Sequence, residues 1–132
     1  MKIVKAKEPS LVKEFLGIAG DSLKTLRYYK ERDIETAMKS HIVTFIGIND
    51  ETPVAYGHLD KEDDVVWLGI AVAEHCRGLG LGTQMMQALI DYADENRHQL
   101  KLSVDVGNPA ISLYRNFGFL PTTPIFMERK LE

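Results

Sequence analysis

Arg77-Gly78-Leu79-Gly80-Leu81-Gly82-Thr83 joins a permanent cation to three alternating glycines, just ahead of a long helical apolar pattern. Glycine lets a backbone approach a ligand closely and take φ values that a Cβ would forbid. A helix beginning here leaves its first N–H groups without intrahelical partners, backed by the positive end of the helix dipole. Such donors suit a pyrophosphate, and the forked guanidinium of Arg77 adds a cation at the mouth. Two familiar phosphate loops do not fit. A dinucleotide fingerprint needs G-x-G-x-x-G, but counting from Gly78 and Gly80 puts Thr83 where the third glycine belongs. A P-loop ends in G-K-S/T, whereas Gly82 is followed by Thr83 and Gln84.

The elements around this loop can be read from periodicity and punctuation. Upstream, Val65-Val66-Trp67-Leu68-Gly69-Ile70-Ala71-Val72-Ala73 is nearly continuous and apolar, as expected of a strand buried on both faces. Downstream, Leu81, Met85, Ala88, Leu89, Tyr92 and Ala93 form the stripe of a helix running to about Asn96. Leu100, Leu102, Val104 and Val106 alternate with Lys101, Ser103 and Asp105, which marks another strand. Asn108 as N-cap, Pro109 at the first helical position and Gly118 as a left-handed terminator punctuate a short helix whose Ala110, Leu113, Tyr114 and Phe117 share a face.

Earlier in the chain, residues 3–5 read as an edge strand, and Leu11, Val12, Phe15, Leu16 and Ala19 recur at helical spacing after Pro9, with Gly17 and Gly20 softening the helix end. Asp21-Ser22 and Asp33 read as caps of two short helical pieces, with Leu23, Leu26, Ile34, Ala37 and Met38 facing inward. Residues 42–48 form a β-branched strand, joined through Asn49-Asp50-Glu51-Thr52-Pro53 to a strand over 54–59. A polar turn at Asp60-Lys61-Glu62-Asp63-Asp64 then leads into the Trp67 strand, and a last strand pair spans 119–131, interrupted at Pro121 and Pro124.

Composition bounds the rest. The 132 residues, 45% of them hydrophobic, suit one domain over residues 1–132. Net charge −3 provides no field for nucleic acid. No apolar run approaches membrane-spanning length, and Met1-Lys2-Ile3-Val4-Lys5 is not followed by an apolar segment of the secretory kind, so a soluble cytoplasmic protein is expected. The single Cys76 excludes an internal disulfide, and His41, His58, His75 and His98 lack metal-ligand spacing, so no metal is expected. Cys76, beside Arg77, could favour a thiolate. No acid or His partner follows from its spacing, and it reads as structural.

The loop resembles the acyl-CoA loop of the GNAT superfamily of N-acetyltransferases, whose pattern is Q/R-x-x-G-x-G/A after a central strand. Arg77, Gly80 and Gly82 fall on its fixed positions, and Ile70-Ala71-Val72 resembles the strand end that hydrogen-bonds the pantetheine arm. The block Asn108-Pro109-Ala110-Ile111-Ser112-Leu113-Tyr114-Arg115-Asn116-Phe117-Gly118-Phe119 is similar to the family's later segment, with one departure: the family commonly has two residues between this Asn and the Ala, and here there is only Pro109. The resemblance covers residues 54–120.

What the resemblance implies is an α/β (α+β) fold: a mixed, mostly antiparallel central sheet flanked by helices, whose central strands around Trp67 and Val104 splay apart to admit the acyl-pantetheine arm. It implies acetyl-CoA as co-substrate, held by Ile70, Ala71 and Val72, by Arg77, Gly78, Leu79, Gly80, Leu81, Gly82 and Thr83, and by Asn108 and Tyr114. Transfer would be direct attack of a primary amine on the thioester in a ternary complex, with Tyr114 as general acid. The family varies its general base. His58 and Asp60, two apart on one strand, share a face, and Glu62 lies just beyond; all three are candidates, with Asp105 on the facing strand a further one. Arg27-Tyr28-Tyr29-Lys30-Glu31-Arg32 mixes cations with aromatic rings in the expected acceptor wall. The acceptor stays open between a free amine metabolite, an amino sugar and a protein N-terminus or lysine, as does homodimer formation. A non-catalytic acyl-CoA-binding or regulatory module is the alternative, for which the shortened Asn108 segment is the argument.

Overall fold

Residues 1–24, 26–104, 108, 110–123 and 126–131 are described by a computed structural model. Four strands, β1 (Lys2–Lys5), β2 (His41–Asn49), β3 (Thr52–Glu62) and β4 (Val65–Val72), pair antiparallel in consecutive order. Short turns set this meander. Asp50 and Glu51 take φ of 49° and 66° between β2 and β3, the left-handed pair whose twist matches a two-residue hairpin. The second turn is shorter than its run of acids suggests. β3 continues through Glu62, with Asp60 opposite Trp67 and Glu62 opposite Val65, so the turn is confined to Asp63 and Asp64. The ladder satisfies backbone groups that a longer turn would leave to water.

After β4, α3 (Leu81–Glu95) crosses over to β5 (Leu100–Ser103), which lies parallel to β4. The chain closes with α4 (Ile111–Asn116), β6 (Leu120–Thr123) and β7 (Phe126–Arg129), giving one seven-stranded sheet in the order β1-β2-β3-β4-β5-β7-β6. The parallel pairing of β4 with β5 covers Val66↔Leu100 and Trp67↔Lys101 and goes no further. Beyond it the two strands part, as the resemblance implies. Asp105, Val106, Pro109 and Pro124 lie outside the described residues.

Alternation on β3 divides the core into two layers. Ala55 and Leu59 pack with Met85, Met86 and Leu89 of α3 and with Leu100 and Leu102, and Gly57 admits α3 so closely that a Cβ there would meet Leu89 at 2.8 Å. On the opposite face Tyr56 stacks on Phe15 of α1 (Pro9–Ile18) at 5.8 Å, beside Val12 and Ile46. Each such fully buried apolar side chain contributes about 1.5–3 kcal/mol. His58 and Asp60 follow Tyr56 on that second face, which is why polar groups lie buried there.

Several local expectations need correction. Asp33 does cap α2 (Ile34–Met38), its carboxylate accepting the Thr36 N–H at 3.0 Å, and Asp21 and Ser22 lie within a 3₁₀ turn over Gly20–Lys24 rather than ahead of a helix. That turn is instead fastened to the end of β4: the Asp21 N–H donates to Glu74 Oε2 at 3.0 Å, and Ser22 Oγ donates to the Val72 carbonyl. Leu23 is 37% exposed and does not face inward. The helix read from Asn108 onward starts later, at Ile111, and Asn108 instead makes a local turn in which its Oδ1 accepts the Ala110 N–H at 2.9 Å. β4 is not buried on both faces, because the residues between its buried Val66, Leu68 and Ala71 are half-buried along a cleft.

Candidate active site

Where β4 and β5 separate, a cleft of about 840 Å³ opens between them and runs along β4 from Trp67 to Val72. Trp67 marks one end and Val72 the other, about 17 Å apart at 3.3 Å per strand residue. The glycine loop forms the mouth beyond Val72. Gly80 is the N-cap of α3 with φ 76°, and Gly78 has φ 80°; a Cβ would meet no atom within 4 Å at either, so conformation rather than space requires glycine there. The first α-helical bond at this end runs from Gln84 N to Gly80 O at 3.2 Å, so the N–H groups of Leu81, Gly82 and Thr83 precede the helical ladder. Arg77 is exposed at the mouth, its guanidinium donating to Ser22 Oγ at 3.0 Å.

The cofactor-binding residues read from the sequence fall into three groups. Ile70, Ala71, Val72, Arg77, Gly82, Asn108 and Tyr114 line the cleft. Gly78, Leu79, Gly80 and Thr83 are exposed beside its mouth, Leu79 at 65%. Leu81 differs: its side chain is buried against Val54 and Cys76, leaving only its backbone to a ligand, and Cys76 is accordingly a packed core residue.

Tyr114 lines the middle of the cleft from α4. Burial pushes its hydroxyl up to about 12, so it stays protonated at neutral pH and can donate. His58, Asp60 and Glu62 line the far end together with Tyr28, Arg32, Trp67 and Phe126. Here the three base candidates part company. Asp60 is 5% exposed, and both carboxylate oxygens are engaged, Oδ1 by Ser40 Oγ at 2.7 Å and Oδ2 by the Tyr28 hydroxyl at 2.7 Å. It is a buried network acceptor rather than the turn charge expected from its surroundings. Glu62 is exposed at the end of β3. His58 is 2% exposed, with Nδ1 2.5 Å from the Tyr56 hydroxyl and its ring over Gly69 of β4. A Cβ at Gly69 would lie 2.4 Å from His58 Cε1, so the glycine creates the imidazole's seat. Burial holds His58 well below the usual imidazole range, with His41 and Arg32 lowering it further. Asp105 lies outside the described residues.

Sequence reasoning missed most of this network. His41, whose Nε2 is 3.0 Å from the Tyr28 hydroxyl and whose Nδ1 is 2.7 Å from Thr44 Oγ1, stacks on His58 at 4.5 Å. The Tyr29 hydroxyl lies 2.6 Å from that of Tyr56. The available signal was the i, i+2 series Tyr56-His58-Asp60; its partners from the 27–32 segment arrive through tertiary packing.

The acetyltransferase (GNAT) family model matches residues 9–119. The chain belongs to that family. No curated protein sequence matches it. Among solved structures, the GNAT fold aligns with an IAA acetyltransferase from Bacillus cereus at TM-score 0.77 and 18% identity, covering 98% of this chain and 99% of that one. A ribosomal-protein-alanine N-acetyltransferase from Brucella melitensis gives 0.76 at 21% identity over 99% and 100% of the two chains. A GNAT acetyltransferase from Brucella melitensis in complex with acetyl-CoA gives 0.71 at 16% identity over 99% and 88%. Among the described residues no group of three His, Cys, Asp or Glu side chains could hold a metal ion, and no helix is long and apolar enough to cross a membrane.

Proposed function

We propose that this GNAT protein transfers an acetyl group from acetyl-CoA to a primary amine by direct attack in a ternary complex. The observation that carries the reading is the continuity of the cleft: one crevice joins the exposed helix start and Arg77 to Tyr114 and then to the polar far end. Its donors and shape fit the coenzyme. The N–H groups at the start of α3 and the Arg77 guanidinium suit the diphosphate, and the parted edge of β4 at Ile70 and Val72 together with Leu113 suits the pantetheine arm. When bound, the thioester supplies an activated acetyl group. Backbone N–H groups near Ile70 and Val72 orient and polarise its carbonyl, and the protonated Tyr114 hydroxyl is the proton source for the departing sulfur. The acceptor enters between Tyr28, Arg32, Glu62 and Trp67, where a small amine or amino sugar fits the aromatic and charged lining.

Two measurements test this. Acetyl-CoA should raise the melting temperature, and free thiol should appear with at least one of glucosamine, tyramine, spermidine and an alanine-initiated peptide. A melting shift with no thiol from any of them would favour a non-catalytic acyl-CoA-binding module, and no shift would reject both readings.

A further inference from the structure

His58 poses a problem for acid–base chemistry. It lines the cleft at the seat made by Gly69, yet it is 2% exposed, and among the described residues no acid is hydrogen-bonded to it to stabilise an imidazolium. Its neighbours come from every element packed on that face. Tyr28, from the segment before α2, is 4.3 Å from its ring centroid, and His41 of β2 is 4.5 Å away; Tyr56 and Asp60 flank it on β3, with the Asp60 carboxylate engaged by Tyr28 and Ser40. Arg32, stacked on Tyr28 at 4.3 Å, adds positive charge. A proton that arrived at His58 and stayed would be strongly disfavoured.

The ring's two nitrogens have different surroundings. Among the described residues Nδ1 is paired with the Tyr56 hydroxyl, whereas Nε2 has no protein partner although no buried side-chain nitrogen or oxygen is left unsatisfied, so Nε2 opens to the cleft. Tyr56 is in turn 2.6 Å from Tyr29, which is half-buried at the outer side of this face. Neither contact has a fixed direction, since each hydroxyl can donate or accept.

We propose that His58 Nε2 accepts the acceptor amine's proton and that Tyr56 and Tyr29 conduct a proton from Nδ1 to solvent in the same event. This rests on the acetyl-transfer reading above. The amine N–H bond breaks as Nε2–H forms; Nδ1–H breaks as a proton passes to the Tyr56 oxygen; the Tyr56 proton passes to Tyr29, and the Tyr29 proton to water. Every residue is neutral before and after, so neither an imidazolium nor a phenolate is left in the buried network. After product leaves, Nε2 releases its proton to cleft water and Nδ1 regains one from bulk water through the two tyrosines. His58 is thereby the catalytic base, and Tyr56 and Tyr29 are positioning and relay residues that act through it.

The ground state must be the neutral tautomer with hydrogen on Nδ1, which ¹⁵N NMR of histidine-labelled protein at pH 7 reads without any acceptor. An Nε2–H tautomer or an imidazolium at His58 would overturn the relay. Tyr56→Phe keeps the ring that stacks on Phe15 and Tyr29→Phe keeps the edge contact with Tyr56, so each removes one hydroxyl. With the fastest amine of the four-member panel, each variant should lower kcat about 10- to 100-fold at unchanged KM for acetyl-CoA. The proton inventory of the parent protein should be bowed, and it should become linear in both variants. Parent-like kcat and inventory in both variants would overturn the proposal. If the parent itself releases no thiol with any amine, the acetyl-transfer reading and the relay fall together, an outcome distinct from variants that match an active parent.

Discussion

At the mouth of the cleft a ligand meets backbone amides, two glycines in open space and the exposed Arg77 guanidinium; at the far end it meets aromatic rings, the His58 imidazole backed by His41, and a carboxylate whose oxygens are already engaged. One end is made by backbone conformation, and the other by side chains that hold one another. The difference teaches where each end is vulnerable. Changing a φ preference should damage the mouth alone, and displacing a single ring should damage the far end alone.

The sharpest way to break that contrast is Gly69→Val. The strand backbone tolerates valine, but its Cβ would lie 2.4 Å from His58 Cε1 and must displace the imidazole. Steady-state kinetics should show kcat down about 100-fold or more with KM for acetyl-CoA little changed. A raised KM with intact kcat would mean that the far end also holds the coenzyme. Gly80→Val attacks the other end. It meets no atom, but its φ of 76° is strained for a branched residue by about 1–2 kcal/mol, so calorimetry should find acetyl-CoA bound about tenfold more weakly, with kcat at saturation preserved. Arg77→Ala should act in the same direction on binding. Tyr114→Phe lies between the two ends and should lower turnover about tenfold while leaving coenzyme affinity unchanged. An unchanged kcat removes Tyr114 from the chemistry.

The smallest effect concerns pH. Burial lowers His41 from 6.5 to about 4, and His58 is lowered further than the ordinary range. The unfolded chain takes up protons at both residues as pH falls through 6.5, while the folded form resists uptake until about 4 at His41. Stability is therefore full above 6.5 and is lost as pH falls toward 4. Urea midpoints should be lower at pH 5 than at pH 7, and His41→Gln should reduce that difference.

The mouth was legible in the sequence because it is local. Arg77, Gly78 and Gly80 declare a left-handed turn ahead of a helix, and the structure has Gly78 and Gly80 at positive φ. The antiparallel meander was legible for the same reason, since alternation and turn chemistry are short-range, whereas the parting of β4 from β5 was implied only by the resemblance. The far end was legible only as a pattern on β3. Asp60 looked like a turn acid because it opens a run of charges, and pairing with Trp67 carries it into the strand and out of water. Tyr28 and Tyr29 read only as rings mixed with cations in the expected acceptor wall, and tertiary packing delivers their hydroxyls to Asp60 and Tyr56. Asn108 was misread for a subtler reason: an Asn before Pro signals a cap, but its carbonyl oxygen closes a turn one step ahead of the helix proper.

The two-rung ladder between β4 and β5 has a mechanical consequence. The meander of β1 to β4 and the trio β5, β7 and β6 behave as two leaves joined along a short spine, with α3 as the binding. Deuterium should enter the amides of Ile70 and Val72 quickly in the free protein and slowly once a coenzyme bridges the leaves, whereas the β2–β3 amides should exchange equally slowly in both states.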